Sequence, residues 1–432
     1  MIERPIRPVP TFLRWISTLA TLGLLVAVGA CEPGDSETRG VEIDTSFEGA
    51  GLGSWEEVVP GEIELVLHRD PGTDFMRWYS FRVGGAVGEE LTFRIVNAGE
   101  SSASGAWGYN QPVVSSDDGQ RWERIADTDY ADGVFTFRYT PRTESDWIAY
   151  VPVYNHSRWL ELVERVSEHP RLAEVRVIGE SLDGHPIQLL RVTEPSAAHE
   201  TRPALWAVAR QHPAETGGSW KMEGLLEWLL SDDPAAAGLL ERGEVHLVGF
   251  LNPDGVRMGN YRANQAGVNL NRVWDHPDPG TEPEVYAVHS EMVAFARDGG
   301  EITFFVDLHS HSTIRANFFY WNDAEATSSE MAAEMQTFME RFEVLNPDFS
   351  VEDSPGGSTE NAGVAGNWAF NALGVHAVTF ETAYQDVTYG PYQGEHLTME
   401  RLLALGRDFG RTAAQVLYGV EVGEGVGAGV GR

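Results

Sequence analysis

Two side chains with metal-ligand chemistry, His212 and Glu215, stand three positions apart in the stretch AVARQHPAETGGSW. An imidazole and a carboxylate at this spacing can bind one ion with little loss of chain entropy, and zinc accepts nitrogen and oxygen ligands at about 2.0–2.2 Å. A catalytic zinc site has three protein ligands and leaves room for water. The best source of the third is EITFFVDLHSHS, where an apolar run ends in Asp307, His309 and His311.

The pair on its own has a second interpretation, a surface histidine near the start of a helix. Its context favours metal binding, because four separate polar clusters of the chain each follow an apolar run. The run from Leu205 to Ala209 is typical of a buried strand, and the next segment, from Gly218 to Leu230, has the apolar periodicity of a helix. His212 and Glu215 therefore fall in a turn between a strand and a helix.

After a predicted helix at Ser157–His169 and two predicted strands, the predicted elements from Leu205 onward alternate between strand and helix. This alternation predicts an α/β fold with an open mixed β-sheet flanked by helices on both faces, and ligands of such sheets gather where strands end. His212, Asn252, His309 and Glu381 stand at such ends. The predicted strands are Ala173–Ile178, Ile187–Val192, Leu205–Ala209, Val245–Leu251, Ile302–Leu308 and Ala377–Glu381, and the predicted helices are Ser157–His169, Gly218–Leu230, Glu284–Asp298, Ser328–Phe342, Gly366–Leu373 and Met399–Leu417.

Two polar positions at strand ends leave alternatives open. Glu381 closes the apolar run HAVTFE, where it is either a general base or a glutamate that merely caps a strand. A carboxylate in apolar surroundings can be tuned to accept a proton from water and pass it to a leaving amine. His309 and His311 face the same side of a strand, so periodicity leaves both as candidates for the third metal ligand.

Residues 41–154 consist of short strand-like runs split by turns. Apolar and polar residues alternate within these runs, and the turns are regularly spaced, which predicts a β-sandwich. The turn Tyr109–Pro112 is interpreted as a solvated loop, with an overhang above a neighbouring site as the alternative.

Four stretches of the chain resemble the zinc metallocarboxypeptidases, in particular the branch that includes the cytosolic carboxypeptidases. They are AVARQHPAETGGSW, FLNPDGVRMGNYRANQAGVNLNRVW, EITFFVDLHSHS and HAVTFETAYQD. The resemblance covers roughly residues 154–419, and RWYSFRV, LTFRIVN and WIAYVPVY resemble the β-domain that precedes the catalytic domain in that branch. It implies a carboxypeptidase-like fold, one zinc ion (Zn2+) and a peptide substrate with a free C-terminal carboxylate.

The same resemblance implies a metal site of His212, Glu215 and His309. His309 matches the first histidine of the family motif Asp-x-His-Gly-His-Ser, in which this chain has Ser310 in place of the glycine. Glu381 matches the catalytic glutamate of the family, which acts as general base.

Three further residues match positions that handle the substrate. Arg262, in GNYRAN, matches the arginine that polarises the scissile carbonyl and steadies the tetrahedral intermediate. Asn271 and Arg272, in NLNRVW, match the pair that grips the terminal carboxylate, with which a planar guanidinium can make two parallel hydrogen bonds.

Side-chain specificity does not carry over from the family. Gly366 stands fifteen residues before Glu381, where cytosolic carboxypeptidases have an arginine that favours acidic C-terminal side chains. Residues 351–376 contain no tyrosine, so the tyrosine that closes over substrate in the carboxypeptidase A branch is also unmatched. A pocket with glycine at its floor can accept a bulky or apolar side chain.

The N-terminus has the pattern of a secretory signal followed by the only cysteine of the chain. Three arginines precede an apolar run, Ile16 to Val28, that is short for a membrane span. VGAC resembles a bacterial lipobox, which makes residues 1–30 a lipoprotein signal peptide and Cys31 the lipid anchor. The alternative is a plain signal peptide or an anchor helix with an incidental thiol.

This organisation predicts an extracytoplasmic lipoprotein that contacts the membrane through its lipid anchor only. The predicted segments are a linker at residues 31–40, an N-terminal β-sandwich domain at 41–154, a zinc carboxypeptidase domain at 155–419 and a disordered tail at 420–432. The formal net charge of −34 argues against nucleic acid as a partner, because the surface repels phosphate. The sequence does not indicate an oligomeric state.

Two other functions stay open at this point. A related zinc acylase or amidase would cleave N-acyl amino acids or peptidoglycan stem peptides with the same metal chemistry. A non-catalytic binding lipoprotein would keep the fold, and the metal with it, without hydrolysis. Retention of a competent side chain at every matched position favours an enzyme over the binding protein.

Overall fold

Short strands form the first part of the molecule. The computed structural model describes residues 40–421 apart from 198–200, 323–324, 326 and 358–359. Within the described residues, the strands before residue 155 are β1 Glu42–Asp44, β2 Ser54–Val59, β3 Glu62–Val66, β4 Ser80–Gly84, β5 Leu91–Ile95, β6 Val113–Ser115, β7 Glu123–Arg124, β8 Thr128–Ala131, β9 Val134–Tyr139 and β10 Asp146–Ala149. They form two five-stranded sheets in the orders β1-β4-β10-β6-β7 and β2-β3-β5-β9-β8.

Alternating apolar residues explain how these two sheets pack. In β5, Leu91, Phe93 and Ile95 are fully buried, while the residues between them are partly exposed. The inner faces of both sheets share one hydrophobic cluster, in which the ring centroids of Phe81 and Phe93 lie 5.7 Å apart. The predicted β-sandwich is confirmed.

The remaining strands build one eight-stranded sheet. They are β11 Leu172–Glu180, β12 Pro186–Val192, β13 Ala204–Ala209, β14 Glu244–Val248, β15 Ile302–Leu308, β16 Phe318–Asn322, β17 Gly356–Gly357 and β18 His376–Glu381. The order is β11-β12-β14-β13-β15-β18-β16-β17. The central strands β14, β13, β15 and β18 run parallel, and antiparallel strands flank them on either side, so the ends of β13, β15 and β18 meet at one edge.

Helices cover both faces of this sheet. They are α1 His156–Val166, α2 Thr216–Leu229, α3 Pro234–Arg242, α4 Pro253–Arg257, α5 Pro283–Arg297, α6 Ser329–Leu345, α7 Ala365–Trp368, which continues as a π-helical turn at Ala369–Leu373, and α8 Met399–Val416. Short 3-10 turns occur at Ala98–Glu100, Ser104–Tyr109, Pro195–Ala197 and Leu270–Arg272.

Burial on two faces explains the apolar composition of the central strands. All six residues of β13 are buried. Leu205 and Ala207 pack in the cluster that contains residues of α2 and α8, whereas Trp206 and Val208 pack in the cluster that contains residues of α5. The predicted open mixed sheet with helices on both faces is therefore confirmed.

After residue 155, four elements of the described structure do not appear among the predicted ones: α3, α4, β16 and β17. Of these, β16 matters most for the site, because it pairs antiparallel with β18 and places Phe318 opposite Glu381. The predicted helix Gly366–Leu373 begins one residue earlier and changes to a π-helical turn after Trp368.

Some predictions fall outside the described residues. They concern the signal peptide at 1–30, Cys31, the linker up to residue 39 and the tail from residue 422. The boundary at residue 154 stays a prediction, since the chain from Gly40 onward forms one compact unit. Within the described part of the chain, no helix combines the length and the apolar character needed to cross a membrane.

Candidate active site

The metal-binding pair lies in the turn between β13 and α2. Arg210 begins this turn with a φ of 65°, a left-handed conformation that is uncommon outside glycine. Its buried guanidinium fixes the turn, because Nε donates to the carbonyl of Pro213 (2.8 Å) and Nη1 donates to Ser219 Oγ (3.1 Å). The residue that introduces the strained backbone thus also stabilises it.

Three ligand-type side chains converge where β13 and β15 end. Nδ1 of His212 lies 2.7 Å from Oε1 of Glu215, and Nδ1 of His309 lies 2.6 Å from Oε2 of the same carboxylate. One ligand atom from each residue lies within 4.8 Å of the other two, and all three residues are buried. The structure therefore brings together a His-Glu-His cluster from two distant parts of the chain.

The outer nitrogen of each imidazole has its own partner. Nε2 of His212 lies 3.0 Å from Asn269 Oδ1, and Nε2 of His309 lies 2.7 Å from Asp307 Oδ2. Asp307 in turn accepts a hydrogen bond of 2.6 Å from Gln211. Partners on Nε2 orient a histidine so that Nδ1 is presented to a metal, and they raise its basicity. Asp307 therefore helps to orient His309 through the ring nitrogen that does not face Glu215.

The pKa shifts of the cluster follow from burial and from the charges that surround each group. Burial raises the pKa of Glu215, but the His212 and His309 rings outweigh it and hold the pKa well below its usual range. Burial, and then Arg262, lower the pKa of His212 to about 4. Burial also lowers the pKa of His309, but Asp307 and Glu215 outweigh it and raise that pKa well above its usual value, so a metal ion would displace a proton there.

Two imidazole nitrogens and one carboxylate are the donor set of a catalytic zinc site. The cluster fits such an ion, because its donors are preoriented, buried and adjacent to open space. His311 stands outside it: its Nδ1 accepts hydrogen bonds from the backbone N–H groups of Thr313 (3.1 Å) and Ile314 (3.2 Å). The choice that strand periodicity left open thus falls on His309.

A cavity of about 450 Å³ opens beside the cluster. The predicted substrate-handling residues gather in its wall, although they come from separate loops and strands. The lining includes His212, Glu215, Arg262, Asn271, Arg272, His311, Tyr320, Gly366, Thr379 and Glu381.

Arg262, Asn271 and Arg272 make different contacts in the wall of this cavity. Nη1 of Arg262 lies 3.9 Å from Glu215 Oε1, on the metal side. Asn271 is buried: its Oδ1 accepts a hydrogen bond of 2.8 Å from the backbone N–H of Ala365, and its Nδ2 lies 3.3 Å from Nε2 of His309. Arg272 is exposed, and its Nη1 donates to the carbonyl of Asn271 (2.5 Å).

Glu381 ends β18 and borders the same cavity. Its side chain is only 8% exposed, yet its Oε2 has no hydrogen-bond partner among the described residues. Burial, and then Glu215, raise the pKa of Glu381 to about 7. The cavity therefore combines a fully supported ligand cluster with a second carboxylate that is free to exchange a proton.

Residues around Gly366 form another part of the cavity wall. A Cβ added to Gly366 would lie 3.6 Å from Thr379 Oγ1, which is ordinary van der Waals contact. Tyr320, Trp321 and Asn322 of β16 extend this wall. Sequence reasoning missed β16, although the aromatic run FFYWN is typical of a strand.

Lys221 is another residue that sequence reasoning did not connect to the site. It is fully buried, and its Nζ donates to the carbonyl oxygens of His309 and Phe380, both at 2.8 Å. It thereby ties together the ends of β15 and β18, which carry the third ligand and Glu381. Its rarity was an available signal, since it is the only lysine in the chain.

Comparisons with known proteins agree with this geometry. A family model described as zinc carboxypeptidase matches residues 158–395, and one described as cytosolic carboxypeptidase N-terminal domain matches residues 43–151. An uncharacterized protein of Zymomonas mobilis is 30% identical over 378 residues, which cover 85% of this chain and 94% of that protein. Cytosolic carboxypeptidase 6 of Mus musculus is 28% identical over 65% of this chain but only 55% of its own length, so this chain spans about half of that relative.

Solved structures show the same similarity over both parts of the molecule. A metallo-carboxypeptidase from Burkholderia cenocepacia has a TM-score of 0.79 and 28% identity, covering 88% of this chain and 98% of that chain. A metallo-carboxypeptidase from Pseudomonas aeruginosa, solved in complex with (2-guanidinoethylmercapto)succinic acid, has a TM-score of 0.80 and 30% identity, covering 87% of this chain and 99% of that chain. With a His-Glu-His cluster at the edge of a carboxypeptidase-like sheet, this chain belongs to the zinc carboxypeptidase family of peptidases.

Proposed function

We propose that the protein is a zinc-dependent carboxypeptidase that releases C-terminal residues from peptides, with Glu381 as general base. The observation that carries the proposal is a buried His-Glu-His cluster in the wall of the same cavity as a buried carboxylate oxygen with no partner among the described residues. A ligand cluster alone also suits a structural ion. An unpaired base beside it is what hydrolysis requires.

His212, Glu215 and His309 are the residues that would hold the ion. Zinc, when bound, supplies Lewis acidity that polarises a carbonyl oxygen and lowers the pKa of water. Asn269 and Asp307 keep the two imidazoles oriented for this task through their Nε2 atoms.

Glu381 is the proton-transfer group of the proposed reaction. A carboxylate with a pKa near 7 both accepts and returns a proton readily at neutral pH. In the proposed reaction, Glu381 removes a proton from the attacking water and later delivers it to the amine that leaves. The carboxylate is thereby restored for the next turnover.

The two arginines interact with different negative charges of the substrate. Arg262, on the metal side of the cavity, stabilises the oxyanion that develops on the scissile carbonyl. Arg272 remains accessible to the terminal carboxylate, which its guanidinium can bind through two parallel hydrogen bonds. Asn271 lines the same cavity and presents an amide group there. This arrangement requires a free C-terminus, so it favours a carboxypeptidase over an endopeptidase.

The wall around Gly366 supports a preference for neutral, bulky C-terminal side chains. Tyr320 and Trp321 offer aromatic surface, and Thr379 and Ala377 offer small neutral surface beside Gly366. An arginine that would attract an acidic side chain is absent at position 366 itself.

A peptide panel tests the proposed function. We expect purified protein loaded with zinc to shorten peptides one residue at a time from the C-terminus, as followed by mass spectrometry, and metal analysis to find one zinc per chain. If the protein cleaves N-acyl amino acids and leaves the peptides intact, the acylase function would be assigned instead. Zinc binding without hydrolysis of either class would contradict an enzymatic role and favour a binding protein.

We also propose that the protein is an extracytoplasmic lipoprotein anchored through Cys31. The proposal is supported by the VGAC pattern after an apolar segment. Cys31→Ser should abolish labelling by a fatty-acid probe and move the protein from the membrane fraction to the soluble one. A variant that remains in the membrane without label would favour an uncleaved anchor helix.

A further inference from the structure

A turn of the β-sandwich holds the loop that carries Arg262. Asp70 is 2% exposed, and its Oδ1 accepts a hydrogen bond from the backbone N–H of Tyr261 (2.7 Å). Its Oδ2 accepts from the N–H groups of Arg262 (2.6 Å) and Ala263 (2.7 Å). These distances are shorter than those of ordinary backbone hydrogen bonds, as expected for a charged acceptor.

This loop cannot satisfy three successive N–H groups by itself. Buried backbone donors need partners, and three that converge on one point form a concave site for an anion. The loop's own side chains act elsewhere: Asn260 donates to the carbonyl of Ala263, and Asn264 accepts from the N–H groups of Ala266 and Val268. The anion comes instead from Asp70, far away in the sequence and on the other side of the predicted domain boundary.

The contact continues from the loop to the metal cluster. The carbonyl of Tyr261 accepts a hydrogen bond of 3.1 Å from the N–H of Ala214, which directly precedes the ligand Glu215. The guanidinium of Arg262 lies 5.7 Å from the ring centroid of Phe75, which belongs to the same sandwich turn as Asp70. Arg262 is therefore fixed by the sandwich at its backbone and contacted by it at its side chain.

Two more active-site loops contact the sandwich. Tyr109 donates its hydroxyl to the carbonyl oxygens of Ser312 (3.1 Å) and Thr313 (3.0 Å), both of which line the cavity. Arg124 donates to the carbonyl of Tyr384 (2.9 Å), three residues after Glu381. The interpretation of the Tyr109–Pro112 turn as a solvated loop is thus wrong, because its phenol group reaches the rim of the neighbouring site.

We infer that Asp70 is a positioning residue for Arg262, and that the β-sandwich is in this way a working part of the active site. The inference rests on the proposed function, since it assigns Arg262 to the oxyanion. Asp70 touches no substrate. It sets where the guanidinium stands before the reaction begins, and such preorganisation determines how much an oxyanion donor contributes.

Asp70→Asn is the principal test. An amide has only one acceptor oxygen, and its NH2 group cannot accept hydrogen bonds from backbone N–H groups. The loop therefore loses part of its hydrogen bonding to residue 70, while the volume of that side chain stays nearly the same. We expect kcat to fall about 10–100-fold, with zinc content and KM nearly unchanged. Amide hydrogen exchange across residues 260–264 should accelerate. A variant with wild-type kcat and wild-type exchange would overturn the inference.

Asp146 provides a matched control in the same sandwich. It is also fully buried and accepts three hydrogen bonds, from the Tyr139 hydroxyl (2.6 Å), the Arg142 N–H (2.6 Å) and the Thr143 hydroxyl (2.7 Å). None of its partners lines the cavity. Asp146→Asn should lower the melting temperature and leave kcat unchanged. An equal loss of kcat in both variants would mean that sandwich stability alone matters, and would contradict a positioning role for Asp70.

A double-mutant cycle separates positioning from general destabilisation. In an Arg262→Ala background, Asp70→Asn should cause little further loss of kcat, because the side chain that it positions is gone. Fully additive losses would contradict the inference. If Asp70→Asn does not fold, Phe75→Leu replaces it in the same cycle, since this half-buried ring contacts the guanidinium without holding the backbone.

Failure of the proposed function remains distinguishable in these experiments. Wild-type protein that hydrolyses no peptide would defeat the function, whereas the exchange of residues 260–264 in Asp70→Asn still reports the anchor without any turnover. An active wild type with unaltered exchange and kcat in the variant would defeat only the role of Asp70.

Discussion

The two sides of the active-site cavity are built in opposite ways. On the metal side, both oxygens of Glu215 face imidazole nitrogens, and the outer nitrogens of His212 and His309 have partners of their own. In the rest of the lining, Glu381 keeps one oxygen without a partner in the described structure, and Gly366 leaves room for a side chain. The ligand atoms of the cluster all have polar neighbours, whereas the substrate-facing part of the lining is left open.

This difference reflects the two tasks of the site, which are to bind a metal ion and to interact with the substrate. Metal ligands must be held in place before the ion arrives, so partners on every atom favour tight binding. A base and a specificity pocket must interact with the substrate instead, so unpaired atoms and empty space are useful there. Substitutions on the two sides should therefore have different effects: loss of metal on one, and loss of turnover or altered selectivity with metal retained on the other.

The largest effect is expected at a ligand. His309→Ala should lose stoichiometric zinc and with it all activity, because a two-ligand site cannot retain the ion at ordinary concentrations. His311→Ala is the matched control, since its ring accepts hydrogen bonds from a loop and stands outside the cluster. Metal analysis after dialysis distinguishes them. Loss of zinc in the His311 variant and retention in the His309 variant would exchange their roles.

The next effect belongs to the substrate-facing part of the lining. Glu381→Gln should reduce kcat about 10²–10⁴-fold, the usual contribution of a general acid–base group, while zinc content stays at one per chain. Parallel measurement of turnover and metal content checks both halves of this statement. Near-normal turnover would remove Glu381 from the mechanism, and loss of zinc would show that the two sides are not separable.

A smaller effect is expected behind the metal cluster. Asp307→Asn should weaken zinc binding about 10–100-fold, because the amide no longer enhances the basicity of His309. Competition with a chelator measures the affinity, and kcat at saturating zinc should change less than the affinity does. A fall in kcat with unchanged affinity would place Asp307 on the catalytic side of the comparison.

The pH dependence sharpens the same contrast. Glu381 accepts a proton only when ionised, so activity should be lost as pH falls below its pKa, tenfold per pH unit. Burial, and then Glu215, raise this pKa to about 7, and bound zinc lowers it by adding positive charge. The acid limb of kcat/KM should therefore lie at or below about pH 7 and disappear in residual Glu381→Gln activity. An acid limb at higher pH would contradict the assignment.

The smallest effect concerns selectivity. Gly366→Arg should raise the preference for C-terminal glutamate over phenylalanine about tenfold, as one charge-assisted hydrogen bond in a partly open pocket would allow. The open contact distance at Gly366 predicts a folded variant with unchanged zinc content. Gly366→Met is the control for bulk without charge. Equal selectivity shifts in both variants would show that size, and not charge, controls this wall.

Much of the catalytic half was predictable because its signals are local. The strand predicted at Ile302–Leu308 matches β15, and the predicted helix Met399–Leu417 differs from α8 by one residue. Fully buried parallel strands read as continuous apolar runs, and helices carry their own periodicity. The aromatic run of β16 is a local strand signal that was missed, whereas its pairing with β18, which lies far along the chain, has no local pattern that could reveal it.

The sequence by itself determined which metal-ligand and acid–base side chains are available, since His212, His309 and Glu381 stand where apolar runs end and Glu215 follows His212 by three residues. Tertiary structure alone decided that Nδ1 of each histidine faces Glu215, that His311 is turned away and that Asp70 reaches the loop of Arg262. The physical reason is the distance along the sequence between the groups that interact. Residue type and spacing encode local geometry, whereas hydrogen bonds across sheets and between the sandwich and the loops depend on how distant segments pack.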